Sequence, residues 1–307
     1  MSSTTAGTST FHLPDSNPSI PITHPSSLTK DQLLTFPAFK LWLGTLQKSL
    51  SLQYTSQAHP FHFSPYALRS VAIQSVDFFL GDRLGFLKLK ATVTNDAGEH
   101  LPGAVFMRGG SVTMLIILSP ESTHRWTDTR EEYVILTIQP RIAAGSLSFV
   151  ELPAGMIDDS GTFAGAAAKE IREETGLEIA ADELLDLTQL TMQARISPSE
   201  WVPDPAHHTA TGSDVKSSDV DEPHLQAAIY PSPGGSDEFI PIFLARKTVP
   251  QASIDELKGK LTGLRGHGEK ITLKIVRLDE VWKVAGRDGK TLAALALYQG
   301  LKGEGRI

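Results

Sequence analysis

Glu170, Glu173 and Glu174 stand at positions i, i+3 and i+4 just before Gly176, and no other feature constrains this chain as much. At 3.6 residues per turn these three carboxylates share one helix face. Like charges so placed repel by about 0.2–0.5 kcal/mol per pair, a cost that a bound divalent cation reverses. An acidic string on its own is ordinarily a solvated surface face. The flanking residues argue for more. Val150 to Gly155 reads as an apolar strand end that turns through Pro153 and Gly155 into a polar loop. Thr162 then supplies an N-cap, the alanine-rich run from Ala164 to Ala168 starts the helix, and Gly176 stops it.

That order of strand, loop, carboxylate helix and glycine resembles the Nudix box, with Gly155, Glu170, Ile171, Glu173, Glu174, Gly176 and Leu177 matching in register. Two positions depart from the pattern. Gly161 stands where the first glutamate belongs and Lys169 where arginine belongs. In the family those two residues pair and brace the loop against the helix, so their joint loss bears on loop rigidity more than on catalysis. Lys169 can still neutralise a neighbouring carboxylate, but it lacks the planar fork of arginine.

A second constellation lies downstream in Tyr230-Pro-Ser-Pro-Gly-Gly-Ser-Asp237-Glu238, followed by the apolar run from Phe239 to Ala245. Proline and glycine at this density make a turn-rich loop, and the run after it reads as a buried strand. The loop is similar to the SPGGxDE loop of ADP-ribose and nucleotide-sugar pyrophosphatases. In those proteins its glutamate holds metal or activates water, a role that falls here on Glu238, with Asp237 as a substrate contact. Segments at 75–88, 102–110, 139–141, 151–159 and 262–269 look like the plant-type ADP-sugar diphosphatases. The resemblance spans about residues 68 to 302. It implies an α/β protein with a Nudix fold, an α/β/α sandwich around a mixed sheet, preceded by an antiparallel β addition at the N-terminal side, and a homodimer.

Composition narrows the class. The chain has 307 residues, 40% hydrophobic and 21% charged, enough for one large core or two modest ones. It has no cysteine, which excludes disulfides, thiolate metal sites and thiol nucleophiles and suits a reducing intracellular, cytoplasmic setting. A net charge of -7 argues against a nucleic-acid surface, while small anions stay accessible through local arginines and cations. No apolar run reaches the roughly 18 residues of a membrane span, and the start of the chain has neither a basic, apolar secretory signal nor an Arg-rich presequence.

Residues 1–27, rich in Ser, Thr and Pro and without Lys or Arg, read as a disordered tail. One or two short helices are expected over 28–50, with Ser26 and Ser27 as caps, and strands over 68–107. This gives an N-terminal segment of helices and antiparallel strands over 28–107 and a Nudix domain over 108–307. In the latter, strands are expected at 112–118, 133–139, 149–152, near 183–195, at 239–245 and at 271–277, with helices at 253–261 and 291–301 beside the carboxylate helix. The stretch 198–226 has no periodicity and reads as a mobile insertion, in which His207 and His208 are solvated residues rather than ligands.

Cleaving a diphosphate requires water to attack phosphorus while negative charge builds on oxygen, and hard cations counter that charge. Oxygen ligands select Mg²⁺ or Mn²⁺, two or three ions. The resemblance implies Glu170 and Glu174 as principal ligands, Glu173 as a bridging ligand or outer partner, the Ala154 carbonyl as a backbone ligand, and Glu238 as a further ligand or the base. Arg141 and Arg108 suit phosphate oxygens in two-point fashion, although Arg108 equally suits a solvated strand end. Arg265 and Glu269 fit a loop closure better than a substrate contact. The expected reaction takes ADP-glucose or ADP-ribose and water to AMP and a sugar phosphate. Hydrolysis of UDP-sugars or other nucleoside diphosphate compounds uses the same residues, and a silent nucleotide-binding module is the third reading, against which the intact glutamates count. ADP-ribose-specific members carry a proline about sixteen residues beyond the box glycine; here Met192 is near that place, which weakens that substrate.

Overall fold

The computed structural model describes residues 7–55, 57–79, 81–121, 131–157, 162–196, 224–263 and 270–307. A first sheet is built from β1 (Thr8–His12), β2 (Pro21–Pro25), β3 (Ala67–Phe79), β4 (Arg83–Thr94), β5 (His100–Leu101) and β6 (Ala104–Met107), in the order β1-β2-β3-β4-β5 with β6 also on β4. All pairs are antiparallel except β2 with β3. Helices α1 (Lys30–Thr35) and α2 (Pro37–Leu52) pack on it, burying Leu33 and Phe39 with Ile22, Val71, Leu87 and Leu89. Thr29 and Gln32 close α1 with a reciprocal capping box, and Pro37 opens α2.

The expected disordered tail is corrected here: among its described residues, Thr8–His12 and Pro21–Pro25 are paired strands, with Thr8 opposite Pro25 and His12 opposite Pro21. Composition misled because alternation matters more. Ile22 and His24 turn inward while Pro21, Thr23 and Pro25 face outward, and Leu13, Ile20 and Leu28 join the same core.

The second sheet holds β7 (Ser111–Pro120), β8 (Tyr133–Arg141), β9 (Ser146–Glu151), β10 (Ala154–Met156), β11 (Leu185–Asp186), β12 (Ile242–Val249), β13 (Leu261–Thr262) and β14 (Ile271–Arg277). Its order is β11-β12-β7-β8-β14-β13, with β12 parallel to β7 and the other pairs antiparallel. Among the described residues five α-helices accompany it: α3 (Phe163–Thr175), α4 (Leu187–Ile196), α5 (Gln251–Leu257), α6 (Val281–Val284) and α7 (Gly289–Gly303). The first eight residues of β7 are all buried, as a central strand covered on both faces requires. Val112, Met114, Ile116 and Leu118 meet Ala167 and Ile171 of α3 and Ile254 of α5, whereas Leu115 and Ile117 meet Leu187 of α4 and Leu295 and Tyr298 of α7. The result is the mixed α/β/α arrangement expected. Among the described residues no helix is long and apolar enough to cross a membrane.

Two local expectations are corrected. The strand expected near 183–195 is instead a turn at Ala181–Glu183, the two-residue β11 and the helix α4. The Asp186 carboxylate accepts from Thr188 Oγ1 at 2.6 Å and Gln189 N at 2.8 Å and so starts α4, and Leu187 and Leu190 face the core at helical spacing. The helix expected at 253–261 lies at Gln251–Leu257, because Leu261 and Thr262 pair with β14. Most of the expected insertion (197–223, with His207 and His208), together with Gly161, Arg265 and Glu269, lies outside the described residues.

One irregularity positions the site. β7 and β8 pair only through Ile117–Val134 and Leu118–Tyr133, then diverge. β9 follows β8 and β10 follows β7 into the gap, so the turn through Leu152 and Pro153 sits in the mouth of the splayed sheet.

Candidate active site

The box helix α3 is fixed at both ends. Thr162 Oγ1 accepts from Gly165 N at 3.1 Å, and Gly176, at φ +77°, ends the helix by donating to Arg172 O at 3.0 Å. Ala167 and Ile171 are fully buried against the sheet, and Glu174 continues that stripe to its rim, where it is 5% exposed. Its Oε2 accepts from Ala154 N in β10 at 3.1 Å. Burial first, then the neighbouring Glu170 charge, pushes the Glu174 carboxyl up to about 8; Glu151 adds to the rise, and the Ala154 N–H and Arg141 oppose it. Glu170 packs on β10 at Gly155, where a β-carbon would overlap its carboxyl group. Only glycine permits that approach.

Glu170 and Glu174 line a cleft of about 1600 Å³, with Arg108, Arg141, Ala154 and Asp237. This exceeds the roughly 300–1,000 Å³ of common ligand pockets and leaves room for a two-part substrate. Glu173 is half-buried and, like Glu238, is not among the described residues lining the cleft. Glu238 instead pairs with Arg108, Nη1 to Oε1 at 2.9 Å, and accepts from Ser111 Oγ at 3.1 Å. Asp237, expected at the substrate, spends its carboxylate on the chain itself: it accepts from Arg108 N at 2.8 Å and from Gly109 N at 3.2 Å. Its burial raises its pKa, and those two N–H groups oppose the rise. Phe106 N also donates to Gly235 O at 2.8 Å, so the 230–238 loop is stitched to the end of β6.

Among the described residues no three His, Asp or Glu side chains already converge as a metal centre. The corner at β10 nevertheless fits a hard cation. Its donors are oxygen only, its glycine floor admits Glu170 at contact distance, and burial holds Glu174 in a state that a cation would relieve. Glu170 and Glu174 would hold such an ion, together with a carbonyl such as that of Ala154.

Reading the sequence missed several site residues. Glu151, 2% exposed, accepts from Arg141 Nε at 2.6 Å and from Lys290, which comes from α7. Gln139 Nε2 and His224 Nδ1, like Nε of Arg108, which the sequence did single out, are buried polar atoms without a hydrogen-bond partner among the described residues, and all three residues line the cleft. Glu151 lies inside the box-flanking ELPAG run and could have been found there; Lys290 had no local signal.

The NUDIX domain family model matches residues 125–223, which contain the whole box. Nudix hydrolase 14, chloroplastic, of Arabidopsis thaliana is 35% identical over 271 residues, which are 88% of this chain and 72% of that protein. The chain belongs to the Nudix hydrolase family. A solved structure of an ADP compounds hydrolase is 16% identical, its match covers 78% of this chain and 99% of that one, and it superposes with a TM-score of 0.43. In this Nudix hydrolase Lys169, at the arginine position of the box, is exposed on α3 and lines the cleft beside Glu170.

Proposed function

We propose that this Nudix hydrolase cleaves the diphosphate bond of nucleoside diphosphate sugars, taking ADP-glucose or ADP-ribose and water to AMP and a sugar phosphate. The observation that carries this reading is the cleft itself, in which the Glu170–Glu174 corner at β10 faces a space also lined by Arg108 and Arg141. Mg²⁺ or Mn²⁺ bound at the carboxylates would neutralise charge on the diphosphate oxygens and lower the pKa of an attacking water. Arg141 keeps Nη1 and Nη2 for the diphosphate, because among the described residues only its Nε is taken, by Glu151. Arg108, whose Nε has no partner among the described residues, grips from the other side and holds Glu238 at its Nη1. Glu238, anchored by Arg108 and Ser111, is the group to take the proton from water once Arg108, which already lines the cleft, turns from it to the diphosphate. A homodimer and an intracellular location complete the reading.

The test is incubation with Mg²⁺ and a panel of ADP- and UDP-sugars, following release of AMP or UMP. Glu170→Gln and Glu174→Gln are expected to lower turnover at least about a hundredfold, as loss of a catalytic-metal ligand does. An unchanged rate in either variant would remove the metal assignment. Release of UMP alone would move the substrate to UDP-sugars with the same residues in the same roles.

A further inference from the structure

Behind Arg141 runs a buried series of alternating charges that the hydrolytic step does not use. Arg141 Nε donates to Glu151 Oε1 at 2.6 Å, Lys290 donates to Glu151 Oε2, and Lys290 also donates to Asp288 Oδ1 at 3.0 Å. Asp288 Oδ2 accepts from Thr291 N at 3.2 Å and Thr291 Oγ1 at 2.5 Å as the N-cap of α7. The same pair receives the backbone N–H of Leu152, at 3.4 Å for Asp288 Oδ2 and 3.2 Å for Thr291 Oγ1. The start of α7 is thus bolted to the turn that leads into β10.

Stability alone does not account for this arrangement. Lys290 stands in the first turn of α7, where the helix dipole disfavours a cation. Its side chain is 11% exposed and that of Glu151 3%, and ion pairs so buried rarely outperform well-packed apolar groups. Arg141, by contrast, has a 41% exposed side chain and lines the cleft, whereas Glu151 and Lys290 are not among the described lining residues.

The decisive detail is how Arg141 is held. A guanidinium beside a carboxylate with two open oxygens frequently takes a two-point grip, the stronger geometry. Here the second oxygen is occupied by Lys290, and among the described residues Arg141 is held through Nε alone. We infer that Lys290 is a positioning residue: by filling Glu151 Oε2 it limits Glu151 to a one-point pair with Arg141 and leaves Nη1 and Nη2 free to grip the diphosphate of a nucleotide in the cleft. The inference rests on the reading of that cleft as a diphosphate site.

ADP is the probe, its binding measured by calorimetry in Mg²⁺, with thermal melting as the check on folding. Lys290→Met opens Oε2 to Arg141 and is expected to weaken ADP about tenfold, the loss of one charge-assisted contact. Arg141→Lys, which has no fork, is expected to weaken ADP similarly, and the double variant no further than Arg141→Lys alone. Multiplying losses, or a Lys290→Met protein that binds ADP like the wild type, would overturn the inference. Should Lys290→Met fail to fold, Glu151→Gln with Lys290→Met removes one charge of each sign and leaves a single acceptor oxygen, so Arg141 pairs at one point again. That variant is expected to bind ADP within about threefold of wild type, and binding tenfold weaker or more overturns the inference. If no nucleotide sugar is hydrolysed yet this pattern holds, the proposed substrate falls and the Lys290 assignment stands. If hydrolysis occurs without the pattern, only the Lys290 assignment falls.

Discussion

Gly155 and Glu170 touch so closely that a β-carbon on the first would overlap the carboxyl group of the second. The backbone at Gly155 is not in the left-handed region, so an alanine there is not strained by its own dihedrals. The obstacle is the mobile end of the Glu170 side chain, which can rotate away. Gly155→Ala is therefore expected to melt within a few degrees of wild type while losing at least about tenfold in hydrolytic rate, since a displaced ligand costs activity rather than folding. A large drop in melting temperature with the rate per folded molecule intact would contradict it.

Glu174 makes the metal-free protein sensitive to pH. Its carboxyl rises in the folded state from an ordinary 4.5 to about 8, so between those values the folded protein binds more protons than the unfolded chain. Stability from this group is full below about 4.5 and is lost as pH climbs through about 8, at up to about 1.4 kcal/mol per pH unit. Denaturant titrations in EDTA across pH 5 to 8.5 measure that slope, and Glu174→Gln is expected to flatten it.

Metal binding follows from the same proton with the opposite sign. An ion that needs ionised Glu174 must displace its proton, so Mg²⁺ affinity is expected to rise by up to about tenfold per pH unit until pH reaches about 8. Calorimetry in buffers of different ionisation enthalpy would count the released proton. No proton release near pH 7 would place the ion elsewhere.

Asp237 acts through the backbone. Asp237→Ala leaves the N–H groups of Arg108 and Gly109 without their acceptor and is expected to destabilise the fold by about 1–3 kcal/mol. Asp237→Asn keeps one acceptor and is expected to cost less. A rise in KM with unchanged stability in both variants would return Asp237 to the substrate.

The legibility of this chain follows the range of its interactions. The box helix could be read because Thr162, Gly176 and the glutamates act within a few turns of one another. Even the choice between Glu173 and Glu174 was available: Ala167, Ile171 and Glu174 form one stripe, and Glu173 falls off it. The strands at Thr8–His12 and Pro21–Pro25 were hidden because Ser, Thr and Pro weigh as disorder in a composition, while the inward alternation of Ile22 and His24 is a matter of order. Lys290 reaches Glu151 across 139 positions, and Asp237 reaches Arg108 across 129. Pairings of that span depend on the topology of the sheet and leave no periodic trace.

The stitch between the 230–238 loop and β6 makes the site depend on both sheets at once. Arg108 is tethered by one end to the first sheet and by the other to the loop that carries Glu238. Grafting the carboxylate half alone onto another scaffold would transplant the acidic wall together with Arg141 but leave Arg108 behind.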